Sequence, residues 1–266
     1  MKEKALKQIL PIVKNYFSEK AKEEEKEKMV VKVGYPVYDE KEIMAALDAL
    51  LGLNISQGKI VKEFEGQFAK YVGTKHAIAV NSGSSANLLA IGALVEKGDL
   101  KAGDEVIVPA ATFPTVASPI IQLGLVPVFV DVEQGSYNID PTEIRKAISP
   151  KTKMIMPVHS LGNPCEMNEI MEIAEEKNQK VLEDCCEAHG AKIGNKVVGS
   201  FGDVSSISLF VAHNITTGEG GLVFTNNEEY EKEVRSLREF GRIGQSTERF
   251  SYKDEKLGNY DTRYVF

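Results

Sequence analysis

Seven short apolar runs alternate with helical patterns through the middle of the chain, and this alternation restricts the possible folds more than any other feature. The runs are Ala77–Val80, Glu105–Pro109, Val126–Asp131, Lys153–Val158, Val181–Asp184, Val204–Ser208 and Leu222–Thr225. Helical patterns lie between several of them, at Ser85–Val95, Pro114–Leu123, Pro141–Ala147 and Met167–Glu176. Short apolar runs bounded by turn residues read as buried strands. Strands that alternate with helices predict a three-layer α/β fold, a mostly parallel sheet flanked by helices. Ligands of such sheets sit beyond the carboxyl ends of the strands, so the residues that follow each run are the first candidates for a site.

The flanks are different in character. Met1 to Val30 is dense in Lys and Glu, with Ile9, Val13, Tyr16 and Phe17 at the spacing of an amphipathic helix. Pro11 fits a helix start, and the charged run from Lys20 to Lys28 fits a solvated helix face. Asp39 caps a second helix, with Ile43, Leu47, Leu50 and Leu51 on its apolar side, and Glu63–Tyr71 reads as a third. Arg242–Tyr264 is polar and irregular and reads as a loop or lid. The expected organisation is an N-terminal helical segment (1–58), a ligand-binding large domain (59–241) and a polar loop (242–266).

Composition excludes several function classes. The 32 basic and 39 acidic residues among 266 give a net charge of −7, so there is no nucleic-acid footprint. The start Met1-Lys2-Glu3-Lys4 has no apolar signal region, and no run is long enough to cross a bilayer. The cysteines are three, Cys165, Cys185 and Cys186, an odd number with two adjacent, which argues against a disulfide framework. The expectation is a cytoplasmic protein.

Chemistry concentrates in three strand ends. The first is Ser208-Leu209-Phe210-Val211-Ala212-His213-Asn214, which continues to Gly218-Glu219-Gly220-Gly221 between two apolar runs. Glycines there permit close approach of a ligand. The second is Asn81-Ser82-Gly83-Ser84-Ser85-Ala86-Asn87, where a strand meets a helix. Small residues at a helix N-terminus suit an anion, and an ordinary serine cap suits them equally. The third is Leu182-Glu183-Asp184-Cys185-Cys186-Glu187-Ala188-His189-Gly190, with carboxylates where a strand ends.

Together these stretches resemble the DegT/DnrJ/EryC1/StrS sugar aminotransferase family, whose members are similar to aspartate aminotransferase (PLP fold type I). The resemblance covers nearly all of this chain, but only the large-domain part of the family; a C-terminal small domain would follow. In most members the first stretch reads Ser, four residues, Lys-Asn, then Gly-Glu-Gly-Gly, and the lysine holds pyridoxal phosphate (PLP) covalently. Here that position is His213. The change is similar to the branch of 3-dehydratases that act on nucleotide-linked 4-keto-6-deoxy sugars with pyridoxamine phosphate (PMP), histidine serving as base. Imidazole forms no stable covalent link to the cofactor, but it moves protons near neutral pH.

The resemblance implies further roles. Gly83, Ser84, Ser85 and Ser208 would cradle the cofactor phosphate. Phe113, in Ala111-Thr112-Phe113-Pro114, would stack on the pyridine ring, although a core phenylalanine is the plain alternative. Asp184 would pair with the pyridine nitrogen, Glu187 would lie beside the ring, and His189 would be scaffold. Some related dehydratases hold a [2Fe–2S] cluster through a later Cys-x-Cys after Gly-Arg. In this chain Gly241-Arg242 is followed by Ile243-Gly244-Gln245-Ser246, so no cluster and no other metal is expected. Glutamate would then regenerate the amino form of the cofactor, and the expected assembly is a homodimer. The competing readings are an aminotransferase using another lysine such as Lys192 or Lys196, a non-catalytic large-domain fragment, and a nicotinamide-binding enzyme, which the absent Gly-x-Gly-x-x-Gly disfavours.

Overall fold

The structure, a computed structural model, describes residues 1–24, 34, 36–242, 251–254 and 258–261. The chain divides into two compact units, Met1–Lys62 and Glu63–Phe266.

In the first unit α1 (Lys2–Glu24) packs against α2 (Glu40–Leu51). Asp39 caps α2 as the sequence suggests. Its carboxylate accepts from the Lys41 N–H at 2.7 Å, and the Glu42 side chain accepts from the Asp39 N–H at 2.8 Å, closing a capping box. Lys2 Nζ reaches Asp48 at 2.7 Å, and Phe17 meets Tyr38 edge-on at 5.9 Å between ring centroids. Pro11 does not start a helix but lies inside α1. Its position is exposed, and the turns around it carry the helix through the one backbone bond that a proline ring deletes. The charged run beyond residue 24 lies outside the described residues.

In the second unit, α3 (Lys59–Val72) leads from the boundary into a seven-stranded sheet. Its strands are β1 (His76–Val80), β2 (Glu105–Pro109), β3 (Val126–Val130), β4 (Thr152–Ile155), β5 (Lys180–Asp184), β8 (Val204–Ser208) and β9 (Gly221–Thr225), and all seven apolar runs are among them. Two short strands, β6 (Lys192–Ile193) and β7 (Lys196–Val197), make a separate hairpin. The sheet order is β1-β9-β8-β5-β4-β2-β3. The pairings from β3 through β8 are parallel, and β9 runs antiparallel to both β8 and β1.

Alternation along each strand makes the layers. Val106 and Val108 of β2, with Leu182 of β5 and Val223 of β9, pack under α4 (Gly83–Glu96), α5 (Pro114–Gln122) and α8 (Glu228–Arg238). Ile107, Ile155 and Val181 face the other way, under α6 (Pro141–Ala147) and α7 (Met167–Lys177). Leu222 and Phe224 join Ala69 and Val72 of α3 on that second face. Helix α4 is buried on most sides, which suits its run of Ala, Leu, Ile and Gly. Most of 243–264, expected as loop or lid, lies outside the described residues, but β10 (Ser251–Asp254) and β11 (Gly258–Asp261) within it pair antiparallel rather than forming irregular chain. Among the described residues no helix is long and apolar enough to cross a membrane.

Candidate active site

Strand direction brings the first two sequence stretches together. Because β9 runs against both neighbours, its first residue, Gly221, pairs with the last residues of β1 and β8, Val80 and Ser208. The chain leaving β1 crosses directly over Gly221: a Cβ added there would lie 2.5 Å from the Ser82 carbonyl carbon and oxygen and 2.8 Å from the Gly83 nitrogen. Gly83 is as confined, since its Cβ would lie 2.6 Å from Ser208 Cβ and 3.0 Å from Cys186 Sγ. Backbone therefore touches backbone where α4 begins, and glycine alone fits at both positions.

The start of α4 is open to an anion. Ser82 caps it, its Oγ accepting from the Ser85 N–H at 3.0 Å and its carbonyl from the Ala86 N–H at 3.0 Å. The N–H groups of Gly83 and Ser84 precede the first intrahelical bond and keep their donor capacity for an outside acceptor. The plain cap is present, and it leaves the N–H groups of Gly83 and Ser84 outside its own bonds. Ser84 is exposed, Ser85 is half-buried and Ser208 is buried at the adjoining strand end.

The third stretch follows β5. Asp184 is only 5 % exposed. Its Oδ1 accepts from the Cys186 N–H at 3.0 Å, and its Oδ2 accepts from Asn87 Nδ2, on α4, at 2.8 Å. Glu187 is exposed and linked elsewhere, its carboxylate accepting from the Leu161 N–H at 2.7 Å. Leu161 has φ 54°, a left-handed backbone that costs a leucine of order 1–3 kcal/mol. Phe113, just before α5, is 69 % exposed, so it is not a core phenylalanine.

His213 sits on the loop that joins β8 to β9. The loop is clamped at its base, where the Leu209 N–H donates to Gly220 O at 2.8 Å and the Thr217 N–H to Leu209 O at 3.0 Å. The His213 ring is half-buried, 6.2 Å from the His189 ring and 6.4 Å from Phe210. Burial pushes the His189 pKa down, and the nearby His213 adds in the same sense. A residue expected as scaffold therefore stands beside the expected base.

Beneath these groups lies a sealed polar hub. Glu183 and His159 are fully buried. Glu183 accepts from the N–H groups of Gly199, Phe201 and Gly202 at 2.7–2.8 Å. His159 Nδ1 accepts from the Cys165 N–H at 3.0 Å, so Nε2 carries the proton and donates to Glu183 at 3.3 Å. His159, Glu183 and Cys185 bring ligand atoms within 4.8 Å of one another. Both carboxylate oxygens of Glu183 and both ring nitrogens of His159 are already engaged, and burial raises the Cys185 pKa, so the cluster serves as a hydrogen-bonded support for β5. Sequence reasoning did not single out Asn87, Ser206, His159 or Leu161. The available signal was polarity out of place: an amide inside the apolar Ala86-Asn87-Leu88-Leu89, and a serine inside a buried strand.

The sequence matches the DegT/DnrJ/EryC1/StrS aminotransferase family over residues 36–261. The chain belongs to this family. It is 42% identical over 243 residues to a dTDP-4-dehydro-2,6-dideoxy-D-glucose 3-dehydratase from Saccharopolyspora spinosa, covering 86% of this chain and 53% of that protein. It superposes on a GDP-4-keto-6-deoxymannose-3-dehydratase with a trapped PLP-glutamate geminal diamine (TM-score 0.78, 36% identity, 86% of this chain and 59% of the other). An aminotransferase from Psychrobacter cryohalolentis is nearly as similar (TM-score 0.77, 35% identity, 82% and 55%). The chain spans about half the length of the curated relative from S. spinosa. Its fold is the aspartate aminotransferase-like large domain of this family, PLP fold type I.

The glycine contacts leave this turn little tolerance. Gly221→Ala is expected to push the Ser82–Gly83 backbone away, at about 1–3 kcal/mol of stability. Gly66→Ala is the control. Gly66 is exposed in α3 with nothing within 4 Å of an added Cβ, so the change should stabilise by about 0.5–1 kcal/mol. Equal melting temperatures for the two variants would contradict the close approach at Gly221.

Proposed function

We propose that this chain is the cofactor-binding part, with residues 59–241 as its large domain, of a cytoplasmic PLP/PMP-dependent 3-dehydratase. Its substrate is a nucleotide-linked 4-keto-6-deoxy sugar in deoxysugar and lipopolysaccharide O-antigen synthesis. Glutamate serves as amino donor, and the protein acts as a homodimer. The observation that carries this reading is His213, which stands where most of the family has its cofactor lysine. Overall identity does not separate the chemistries, since a dehydratase and an aminotransferase match almost equally.

The donor set fits a phosphorylated pyridine. Gly83 and Ser84 supply free N–H groups and Ser84, Ser85 and Ser208 supply hydroxyls for the phosphate. The Thr112 hydroxyl, next to Phe113, is buried without a hydrogen-bond partner among the described residues. When bound, the cofactor supplies an electron sink for the bond changes at the sugar. Asp184 would hold the pyridine nitrogen protonated, and Phe113 would cover the ring face. Glu187 would stay beside the ring, held by the Leu161 N–H. His213 would move the protons, as the base that takes one from carbon and the acid that gives one to the departing C3 hydroxyl oxygen. General acid–base steps of this kind are worth about 10²–10⁴-fold.

The aminotransferase reading survives only if another lysine anchors the cofactor. Lys192 and Lys196 lie on the β6–β7 hairpin, and Lys196 Nζ rests 4.1 Å from the centre of the Phe201 ring. The test is to incubate the protein with PLP, reduce with borohydride and take the intact mass, with native mass spectrometry on an unreduced sample. Reversible binding without a lysine adduct is the expected result. A covalent adduct mapping to one lysine would sink the dehydratase reading, and absence of binding in either form would favour a non-catalytic fragment.

A further inference from the structure

A buried hydrogen-bond chain runs from the sheet through α4 to Asp184. Ser206, in β8, donates its hydroxyl to Asn87 Oδ1 at 2.5 Å. Asn87 Nδ2 donates to Asp184 Oδ2 at 2.8 Å and approaches the Thr115 carbonyl oxygen, at the start of α5, at 3.3 Å. Asn87 and Ser206 have no solvent exposure, and Asp184 has 5 %. Only one orientation of the amide satisfies this geometry. Turned over, its oxygen would face two acceptors and its nitrogen would face the Ser206 hydroxyl. The chain crosses three elements, because Asp184 and Ser206 are register partners on adjacent strands while Asn87 comes from the helix whose first turn carries Gly83 and Ser84.

Two fixed bonds hold the carboxylate of Asp184. Cys186 N–H takes Oδ1 from the loop, and Asn87 takes Oδ2 from the helix. With both oxygens held, rotation of the carboxylate plane breaks at least one buried bond, and a lone pair on each oxygen remains for a further donor. The Cys186 bond is local, two residues away, and forms with the turn itself. The Asn87 bond spans 97 residues and ties the orientation of Asp184 to the helix that also begins the anion cradle.

We propose that Asn87 is a positioning residue: through the Ser206–Asn87–Asp184 chain it sets the plane of the Asp184 carboxylate and thereby the protonation of the pyridine nitrogen of bound cofactor. The inference rests on the reading that Asp184 faces that nitrogen. Asn87→Leu occupies similar space and makes neither bond. Ser206→Ala leaves the amide but removes its anchor.

The experiment follows the absorbance of bound PLP against pH across the neutral range, with dissociation constants from dialysis, for the parent, Asn87→Leu, Ser206→Ala and Asp184→Asn. Melting curves of the cofactor-free proteins run alongside. The parent band should stay constant with pH. In Asn87→Leu the ring nitrogen should titrate within the range and PLP should bind roughly tenfold or more weakly, the consequence of losing a hydrogen bond to a carboxylate. Ser206→Ala should shift in the same direction by less, and it carries the test alone if the leucine variant does not fold. If Asp184→Asn changes the band while Asn87→Leu and Ser206→Ala keep the parent titration and affinity, the positioning role is overturned and the reading of Asp184 stands. Lower melting temperatures with an unmoved titration overturn it too, because that pattern is merely structural. If Asp184→Asn itself changes neither band nor affinity, Asp184 does not face the ring and the proposal falls with that reading.

Discussion

On the proposed reading, lysine in place of His213 is expected to convert a reversible cofactor site into a covalent one. The His213→Lys protein should give a single borohydride-stable PLP adduct at residue 213. On the same reading, dehydration of the nucleotide-linked keto sugar should fall by about 10²–10⁴-fold, the usual worth of a positioned acid–base group. The loop favours this outcome: its ends are tied at Leu209 and Thr217–Gly220, so the replacement side chain starts from the same backbone position. His213→Asn should lose the same activity without gaining an adduct, which separates loss of the base from capture of the cofactor. A lysine variant that dehydrates at the parent rate would remove His213 from the mechanism.

The second large effect concerns stability. Glu65, on α3, is 5 % exposed and faces two guanidinium groups from α8. Arg235 reaches it at 3.1 Å and Arg238 at 3.0 Å, while the Ala79 N–H of β1 donates to it at 2.8 Å. Arg238 also donates to the Ala79 carbonyl at 3.0 Å, and Arg235 pairs with Glu231 within its own helix. One carboxylate thus joins two helices to an edge strand. Glu65→Gln removes the charge that both arginines share and leaves each with one carboxylate, Glu231 or Glu239, and breaking a buried ion pair costs roughly 3–5 kcal/mol. At about 2–4 °C per kcal/mol for a unit of this size, the melting temperature should fall by roughly 6–20 °C. Combining Glu65→Leu with Arg235→Leu and Arg238→Met should recover only part of that loss, since Glu231 and Glu239 then lose their own arginine partners. A drop under about 2 °C for Glu65→Gln would mean that water screens the network.

The layered α/β fold was legible because its strands are short, apolar and fully buried. Each predicted run is a strand of the sheet, with ends shifted by a residue or a few: the run Lys153–Val158 is strand only over Thr152–Ile155. Helix α8 escaped notice because it is nearly all charge. Only Tyr230, Val234 and Leu237 mark its inner face, and the arginines that dock it read as solvated side chains until Glu65 is seen beneath them. The antiparallel sense of β9 was equally hidden, since apolar content does not encode direction. In the candidate site, the glycines, serines, His213 and Asp184 could be named from the family resemblance of the three stretches that hold them. The hidden part was pairing over distance: that Asn87 answers Asp184, that His189 stands beside His213, and that Leu161 holds Glu187. Such partners come from elements far apart in sequence, and only the packed sheet decides which of them meet.

The position of β9 between β1 and β8 also bears on the order in which a ribosome delivers the protein. Strand β1 is an edge strand whose sole neighbour in the sheet, among the described residues, is β9. Their starts, His76 and Gly221, are 145 residues apart, so at about 5–20 residues per second β1 waits some 7–30 s for its partner to be synthesised. During that interval its hydrogen-bonding edge is open, and the Ser82–Gly83 turn lacks Gly221 to lean on. A nascent chain stalled before Gly221 should therefore expose the His76–Val80 backbone to hydrogen exchange and to strand-capturing chaperones, and release past Thr225 should close both together.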